Sequence, residues 1–175
     1  YYLTNTLEIS EVQQRKILPA LAKESEQATK IKERIPILVI CGNPPYSVRS
    51  ENKSKFIEEL MELYKGKVKD EKNIQPLSDD YLKFIRFAQW KIEQLGYGVI
   101  GFITNNSYLS GLIHRGVREE LLKTFDEIYI LNLHGNSIVE ETTPDGRKDE
   151  NVFDIRQGVS ISIFVKLGKK GTGVI

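Results

Sequence analysis

Apolar stretches punctuate an otherwise polar chain. "PILVICG" (36–42) is a continuous β-branched run, and "GVIGFIT" (98–104) and "EIYILNLHG" (127–135) follow it. Unbroken runs of this kind, the first above all, predict strands buried on both faces of a parallel sheet. "GVSISIFVKL" (158–167) behaves differently. Its Val159, Ile161, Ile163, Val165 and Leu167 alternate with Ser160, Ser162, Phe164 and Lys166. Period two predicts an antiparallel strand with one less-buried face.

Helical spacing fills the intervals. Residues from about Glu11 to Arg34 are polar, charged and predicted helical, with Pro36 blocking continuation. "KFIEELMELYKGK" spaces Phe56, Ile57, Leu60, Met61 and Tyr64 at helical intervals. Ser78, Asp79 and Asp80 form a helix start before "YLKFIRFAQWKIEQLG", where Phe84, Ile85, Ala88, Ile92 and Leu95 share a face and Gly96 is the C-cap. "GLIHRGVREELLKTF" is a further amphipathic helix. "YYLTNTLEI" reads as a strand end and a turn, 65–78 and 135–152 as polar loops, and "GKKGTG" as a flexible exit. Pro144-Asp145-Gly146 marks a turn inside the second loop. Strands alternating with helices, closed by two strands with no helix between them, predict an α/β fold with a mostly parallel sheet and a C-terminal antiparallel hairpin.

Composition narrows the class. The 175 residues are 40% hydrophobic, enough for one domain with a real core. A formal charge of +1 gives no global case for nucleic acid, though a local basic patch remains compatible with it. The single cysteine, Cys41, fits a reducing compartment and reads as a small buried hydrophobe. No apolar run approaches a membrane span, and no signal peptide is visible. The opening "YYLTNTLEIS" has no methionine and begins in strand-like sequence, so the chain is expected to be a piece of something larger.

Some motifs are false trails. "GYGVIG" (96–101) spells a dinucleotide fingerprint, yet a helix precedes it and a strand follows, the reverse of what phosphate binding needs. It is expected to be a helix-to-strand turn. His114 and His134 lack metal-site spacing. His114 is expected on a helix surface, while His134, at a strand end, is a weak candidate for function. "KGKVKDEK" reads as a solvated loop.

The chemistry concentrates in "CGNPPYSVRSENKS" (41–54). Asn43 lies at the carboxyl end of a predicted parallel strand, the edge where open α/β sheets bind ligands. Pro45 holds Pro44 extended, and both φ angles are locked. The Pro44 carbonyl and the Asn43 side-chain carbonyl become two fixed acceptors. Two such acceptors suit an exocyclic amino group. Adenine's amino nitrogen is a poor nucleophile because its lone pair is delocalised into the ring. Holding both N–H bonds favours a pyramidal nitrogen and frees that pair, without a strong base. Tyr46 offers a stacking face, and Gly42 allows close approach.

The stretch resembles the catalytic motif of amino-group, S-adenosylmethionine-dependent methyltransferases, particularly adenine-N6 DNA methyltransferases. With "DDYLKFIRFAQWKI", "GVIGFITNNSYLSGLIHRGVREELL", "FDEIYILNLHGNS" and "DENVFDIRQGVSISIFVK", most of the chain resembles the methyltransferase domain of large single-polypeptide restriction–modification enzymes. The resemblance implies a Rossmann-like sheet of which residues 1–175 supply the catalytic half. It implies that Asn43 and Pro44 hold the adenine amino group, with Pro45 completing the catalytic motif, that Tyr46 stacks on a flipped base, and that Phe153 brings a second ring. It places Asn5, Thr6 and Asn43 against S-adenosylmethionine, with Asn5 where many relatives carry an acid. It implies double-stranded DNA as substrate, an upstream cofactor loop, a downstream target-recognition domain, an attached nuclease or helicase, no metal, and a prokaryotic cytoplasm. Two other readings fit the same motif: methylation of a protein glutamine amide, and a non-catalytic specificity module that keeps the fold.

Overall fold

Capping side chains mark where two of the helices begin. In the computed structural model, which describes residues 5–8, 19–47, 50–153 and 155–168, helix α1 spans Pro19–Arg34 and ends before Pro36. Ser54 accepts from the Ile57 amide and opens α2, Lys55–Lys65. Asp79 accepts from the Tyr81 amide and opens α3, Asp80–Leu95. Gly96 closes α3 at φ 87°, a left-handed cap whose amide donates to the Ile92 carbonyl. The "GYGVIG" motif is thus the expected helix-to-strand turn. The short α4, Ser107–Ser110, leads through a 3₁₀ turn into α5, Arg115–Thr124. The strand expected over the first residues lies outside the described ones; residues 6 and 7 are in a turn.

Four strands follow the predicted runs: β1 Val39–Gly42, β2 Gly98–Asn105, β3 Glu127–His134 and β4 Val159–Lys166. Their order is β1-β2-β4-β3. β1 pairs with β2 in parallel, while β4 is antiparallel to both β2 and β3. The hairpin expectation holds in that β3 and β4 are antiparallel neighbours. The expected mostly parallel character holds in part among the described residues: β1, β2 and β3 run the same way and β4 alone opposes them. The last strand inserts between β2 and β3, so the sheet is mixed, with one parallel and two antiparallel pairings.

One face of the sheet carries the core. Ile57, Met61 and Tyr64 of α2, Ile85, Ala88 and Ile92 of α3, and Val117 and Leu121 of α5 are buried with Ile100, Phe102 and Phe164. On that face the register sets Ile100 opposite Phe164, Phe102 opposite Ser162, and Thr104 opposite Ser160. Small serines make room for large neighbours: buried Tyr108 shares a hydroxyl contact with Ser162. The buried side of β4 is therefore the serine side, and the aliphatic side is the less-buried one.

The other face is apolar and largely open. Val39, Tyr129, Leu131 and Ile163 are 64%, 57%, 59% and 41% exposed. Their register partners include Val99, Gly101 and Ile161, so one stripe runs across all four strands. β1 is an edge strand, and the expectation that it is buried on both faces is corrected accordingly. Cys41, expected as a buried hydrophobe, is exposed for the same reason. Among the described residues no helix is long and apolar enough to cross a membrane.

Candidate functional site

The chain leaves β1 at Gly42 and turns at once through Asn43, Pro44, Pro45 and Tyr46. Pro44 is buried, Tyr46 half-buried, and Asn43 and Pro45 are exposed. The Tyr46 hydroxyl donates to Asn43 Oδ1 at 3.3 Å, which ties the ring to the acceptor three residues earlier. A carboxamide oxygen has two lone pairs, so one stays open. Burial and the nearby Asp79 carboxylate raise the Tyr46 pKa, which keeps the phenol a donor. Among the described residues no donor reaches the Pro44 carbonyl. Two acceptors thus stand at the carboxyl end of a strand, beside an aromatic ring.

This turn rests on the start of α3. Ser47 donates its amide to Asp79 Oδ1 at 2.8 Å, and its carbonyl accepts from the Asp80 amide at 3.3 Å. Asp80 Oδ1 accepts from Ser50 Oγ at 2.5 Å and Asn52 Nδ2 at 2.9 Å. Tyr81 lies edge-on to Tyr46, with ring centroids 6.2 Å apart and planes at 89°. Burial is the main cause that raises the Asp79 pKa, against the pull of the Ser47 and Tyr81 amides. Lys83, 1% exposed, donates to Ser50 Oγ at 3.0 Å and to the Asn52 carbonyl, and pairs with Glu58 at 3.1 Å. A recess of about 610 Å³ opens beside this network, lined by Ser50, Lys53, Glu58, Gln75, Ser78 and Lys83 among others. Sequence reasoning found Asp79 and Asp80 only as a helix start. Their signal was two adjacent acids where one cap suffices.

The turn at residues 5–8 joins the same network. Asn5 Oδ1 accepts from the Leu7 amide at 3.1 Å, and Asn5 Nδ2 donates to Asn52 Oδ1 at 2.8 Å. Lys32 donates to the carbonyls of Asn5 and Glu8 at 2.5 and 2.8 Å. Ser54 Oγ donates to the Leu7 carbonyl at 2.8 Å. Both ends of the Asn5 amide are engaged within the chain, and Thr6 beside it is half-buried.

Phe153 sits elsewhere. It is 41% exposed on the loop between β3 and β4, and its amide donates to Asn151 Oδ1 at 2.8 Å. Among the described residues neither a hydrogen bond nor a ring contact joins it to the turn. The base of that loop is fixed where the Asn106 amide donates to the Gly158 carbonyl at 2.9 Å and Asn106 Nδ2 to Asn132 Oδ1 at 2.9 Å.

The histidines depart from expectation. His114 is buried, not on a surface, and burial with nearby Arg118 pushes its pKa down to about 4. His134 has partners that its sequence spacing did not reveal. Its Nδ1 lies 2.5 Å from Glu141 Oε1, and candidate ligand atoms of His134, Glu141 and Asp149 lie within 4.8 Å of one another. The Asn136 amide also donates to Glu141 at 3.0 Å, so the group pins the start of the loop.

The fold of this chain has counterparts among solved structures. The ATP-dependent Type ISP restriction-modification enzyme LlaBIII bound to DNA matches 98% of this chain at 30% identity and a TM-score of 0.76, over 12% of its own length. A nuclease-deletion mutant of the Type ISP restriction-modification enzyme LlaGI, in complex with a DNA substrate mimic, matches 97% at 27% identity and 0.72, over 16% of its length. The DrdV–DNA complex matches 96% at 26% identity and 0.75, over 17%. The chain therefore spans a small part of the solved chains it matches. Among curated proteins no match is found. The family match defines a methylase domain of restriction–modification type. The chain belongs to the Eco57I restriction-modification methylase family, whose model matches residues 4–138.

Proposed function

We propose that the chain is the catalytic half of a DNA methyltransferase that methylates adenine at N6, within a restriction–modification polypeptide. The observation that carries this reading is the Asn43–Tyr46 turn: an Asn43 carboxamide oxygen with a lone pair open and a Pro44 carbonyl that no described residue bonds, at a sheet edge, next to a half-buried ring, in a chain of methylase family. The acceptors would hold both amino hydrogens of the base, making its nitrogen pyramidal and its lone pair available. The base reaches them by leaving the helix, a cost of a few kcal/mol that stacking on Tyr46, and on Phe153 from the second loop, partly offsets.

S-adenosylmethionine supplies the methyl group when bound. Asn43, Thr6 and the Asn5 turn are the residues of this chain that would face it. The fit is partial: the Asn5 side chain is spent on Leu7 and Asn52, so its contribution is to shape the turn, with backbone and Thr6 left for contact. The Rossmann-like sheet is completed by the rest of the polypeptide, which would cover the open apolar face and pair with the free edge of β1. The upstream cofactor loop, the target-recognition domain and a nuclease or helicase belong to that remainder. DNA as the substrate is supported by the DNA-bound state of the matching enzymes.

The test is single-turnover methyl transfer to an adenine-containing duplex by the full-length protein. Asn43→Ala should cost roughly 10²–10³ in rate, the scale for deleting one preorganised hydrogen-bonding group. Asn43→Asp keeps an acceptor and should retain clearly more. Equal losses with intact folding would reject the acceptor role, and transfer to a glutamine amide but not to DNA would reject the substrate.

A further inference from the structure

Three successive residues at the start of α3 touch the candidate catalytic turn in three different ways. Asp79 takes the Ser47 amide, Asp80 gives its own amide to the Ser47 carbonyl, and Tyr81 sets its ring edge-on against Tyr46. Ser47, which directly follows Tyr46, is thereby gripped at both backbone groups. Asp79 and Asp80 are 3% and 6% exposed and Tyr81 is 2% exposed. Two carboxylates at one helix start exceed what capping needs. A helix N-terminus wants one side-chain acceptor, and Asp79 supplies it to Tyr81 at 3.4 Å. Adding a second buried acid brings a desolvation cost that must be offset by further bonds. Asp80 finds them in Ser50 and Asn52, beyond the turn. Asn52 then carries the connection to Asn5 and the turn at 5–8.

We infer that Asp79 and Asp80 are positioning residues for methyl transfer, Asp79 fixing the acceptor turn and Asp80 coupling that turn to the Asn5 turn on the cofactor side. Neither needs to touch base or cofactor. Asp79 sets where the Pro44 carbonyl and the Tyr46 ring stand. Asp80, with Lys83 behind it at Ser50, sets the spacing between the turn and the 5–8 segment. This rests on the proposed methyl transfer, and it assigns different readouts to the two acids. Misplacing the acceptors slows chemistry, while loosening the Asn52–Asn5 link also weakens cofactor binding.

The experiment uses the full-length protein with Asp79→Ala, Asp79→Asn, Asp80→Ala and Asp80→Asn. Single-turnover methyl transfer, S-adenosylmethionine affinity by calorimetry, thermal melting, and hydrogen exchange of the peptide spanning 43–52 are measured. Asp79→Ala should slow transfer about 10- to 100-fold, the range for an ångström-scale misplacement, with cofactor affinity unchanged. Asp79→Asn retains an oxygen for the Ser47 amide and should recover to within about threefold of wild type by the same geometric reasoning. Asp80→Ala should slow transfer and also weaken cofactor binding, with Asp80→Asn intermediate. Exchange over 43–52 should rise in both alanine variants and stay near wild type in Asp79→Asn. Equal rate losses for Asp79→Ala and Asp79→Asn that follow melting temperature would overturn the inference, as would unchanged exchange over 43–52 in both alanine variants. If wild type transfers no methyl group to adenine while exchange follows the expected pattern, the functional reading fails and the positioning of the turn stands.

Discussion

Tyr46 and Phe153 are both rings carried on loops at the carboxyl end of the sheet, and they are held by opposite means. Tyr46 stands on a frame of buried polar groups, Asp79, Asp80, Ser50 and Lys83, drawn from the start of α3 and a loop. Phe153 hangs on a loop held mainly by its own members: Asn151 bonds the carbonyls of Gly135 and Gln157, His134 meets Glu141, and Arg147 meets Asp145 on the surface. The first arrangement ties the turn to a helix through buried hydrogen bonds. The second keeps its shape yet leaves the ring free to meet something that arrives. On the proposed reading, a site that grips one atom and admits a whole base would use both kinds of support.

Removing the frame should have the largest effect. Lys83→Met removes the buried ammonium that bonds Ser50, the Asn52 carbonyl and Glu58, and thermal unfolding should show a loss of about 2–4 kcal/mol, below the full cost of breaking a buried pair because Glu58 keeps some solvent and its second partner, Lys65. Arg147→Ala, in the other loop, should leave the melting temperature where it was. A comparable loss from both would erase the contrast. Tyr46→Ala and Phe153→Ala should each weaken binding of a duplex carrying a mismatched target base by about 1–3 kcal/mol, with cofactor affinity nearly unchanged. Only Tyr46→Ala should also lower thermal stability, since its ring packs on Tyr81. Collapse of cofactor binding in Tyr46→Ala would make Tyr46 a cofactor residue.

The smallest effect sharpens the contrast through pH. Burial raises the Asp79 pKa, so the folded state prefers it protonated; its contribution improves as pH falls and is lost as pH rises through the folded value. The Asn136 amide and His134 lower the Glu141 pKa, so its contribution is present above the unfolded value and lost as pH falls through the folded one. Asp79→Asn should therefore compare most favourably with wild type at neutral pH, and its relative advantage should shrink on acidification. Glu141→Gln should show a small deficit at neutral pH that disappears in acid. Melting curves from pH 3 to 7 read both. Parallel trends would show that the two loops share one electrostatic environment.

The local rules were readable along the chain. Asp79 and Gly96 bounded α3 as predicted, and the apolar runs became β1, β2 and β3. What escaped were quantities that depend on neighbours distant in sequence. The face of β4 that became buried was chosen by the space around Tyr108, so serines went inward and Ile163 outward. Cys41 and Val39 looked like core because periodicity reports apolarity, not whether a covering layer exists in the same chain. His114 looked like a helix-surface residue because the turn that tucks it behind Gly111 has no signature. In the site, Asn43 and Tyr46 were visible as a motif. The bonds by which the acids beneath them hold Ser47 and Ser50 join residues about thirty positions apart, and the doubled acid at the helix start was their one local sign.

The insertion of β4 between β2 and β3 has a consequence for how the chain is made. Among the described residues β3 has no other neighbour in the sheet, so after His134 leaves the ribosome this strand waits for Lys166 before its pairing can finish. At about 5–20 residues per second that interval lasts on the order of 2–6 s. Through it the unpaired edge of β3 exposes Tyr129, Ile130 and Leu131, a short apolar segment of the kind other chains can add to. Codon choice across residues 135–166 thus sets the length of a vulnerable period that the finished fold no longer shows.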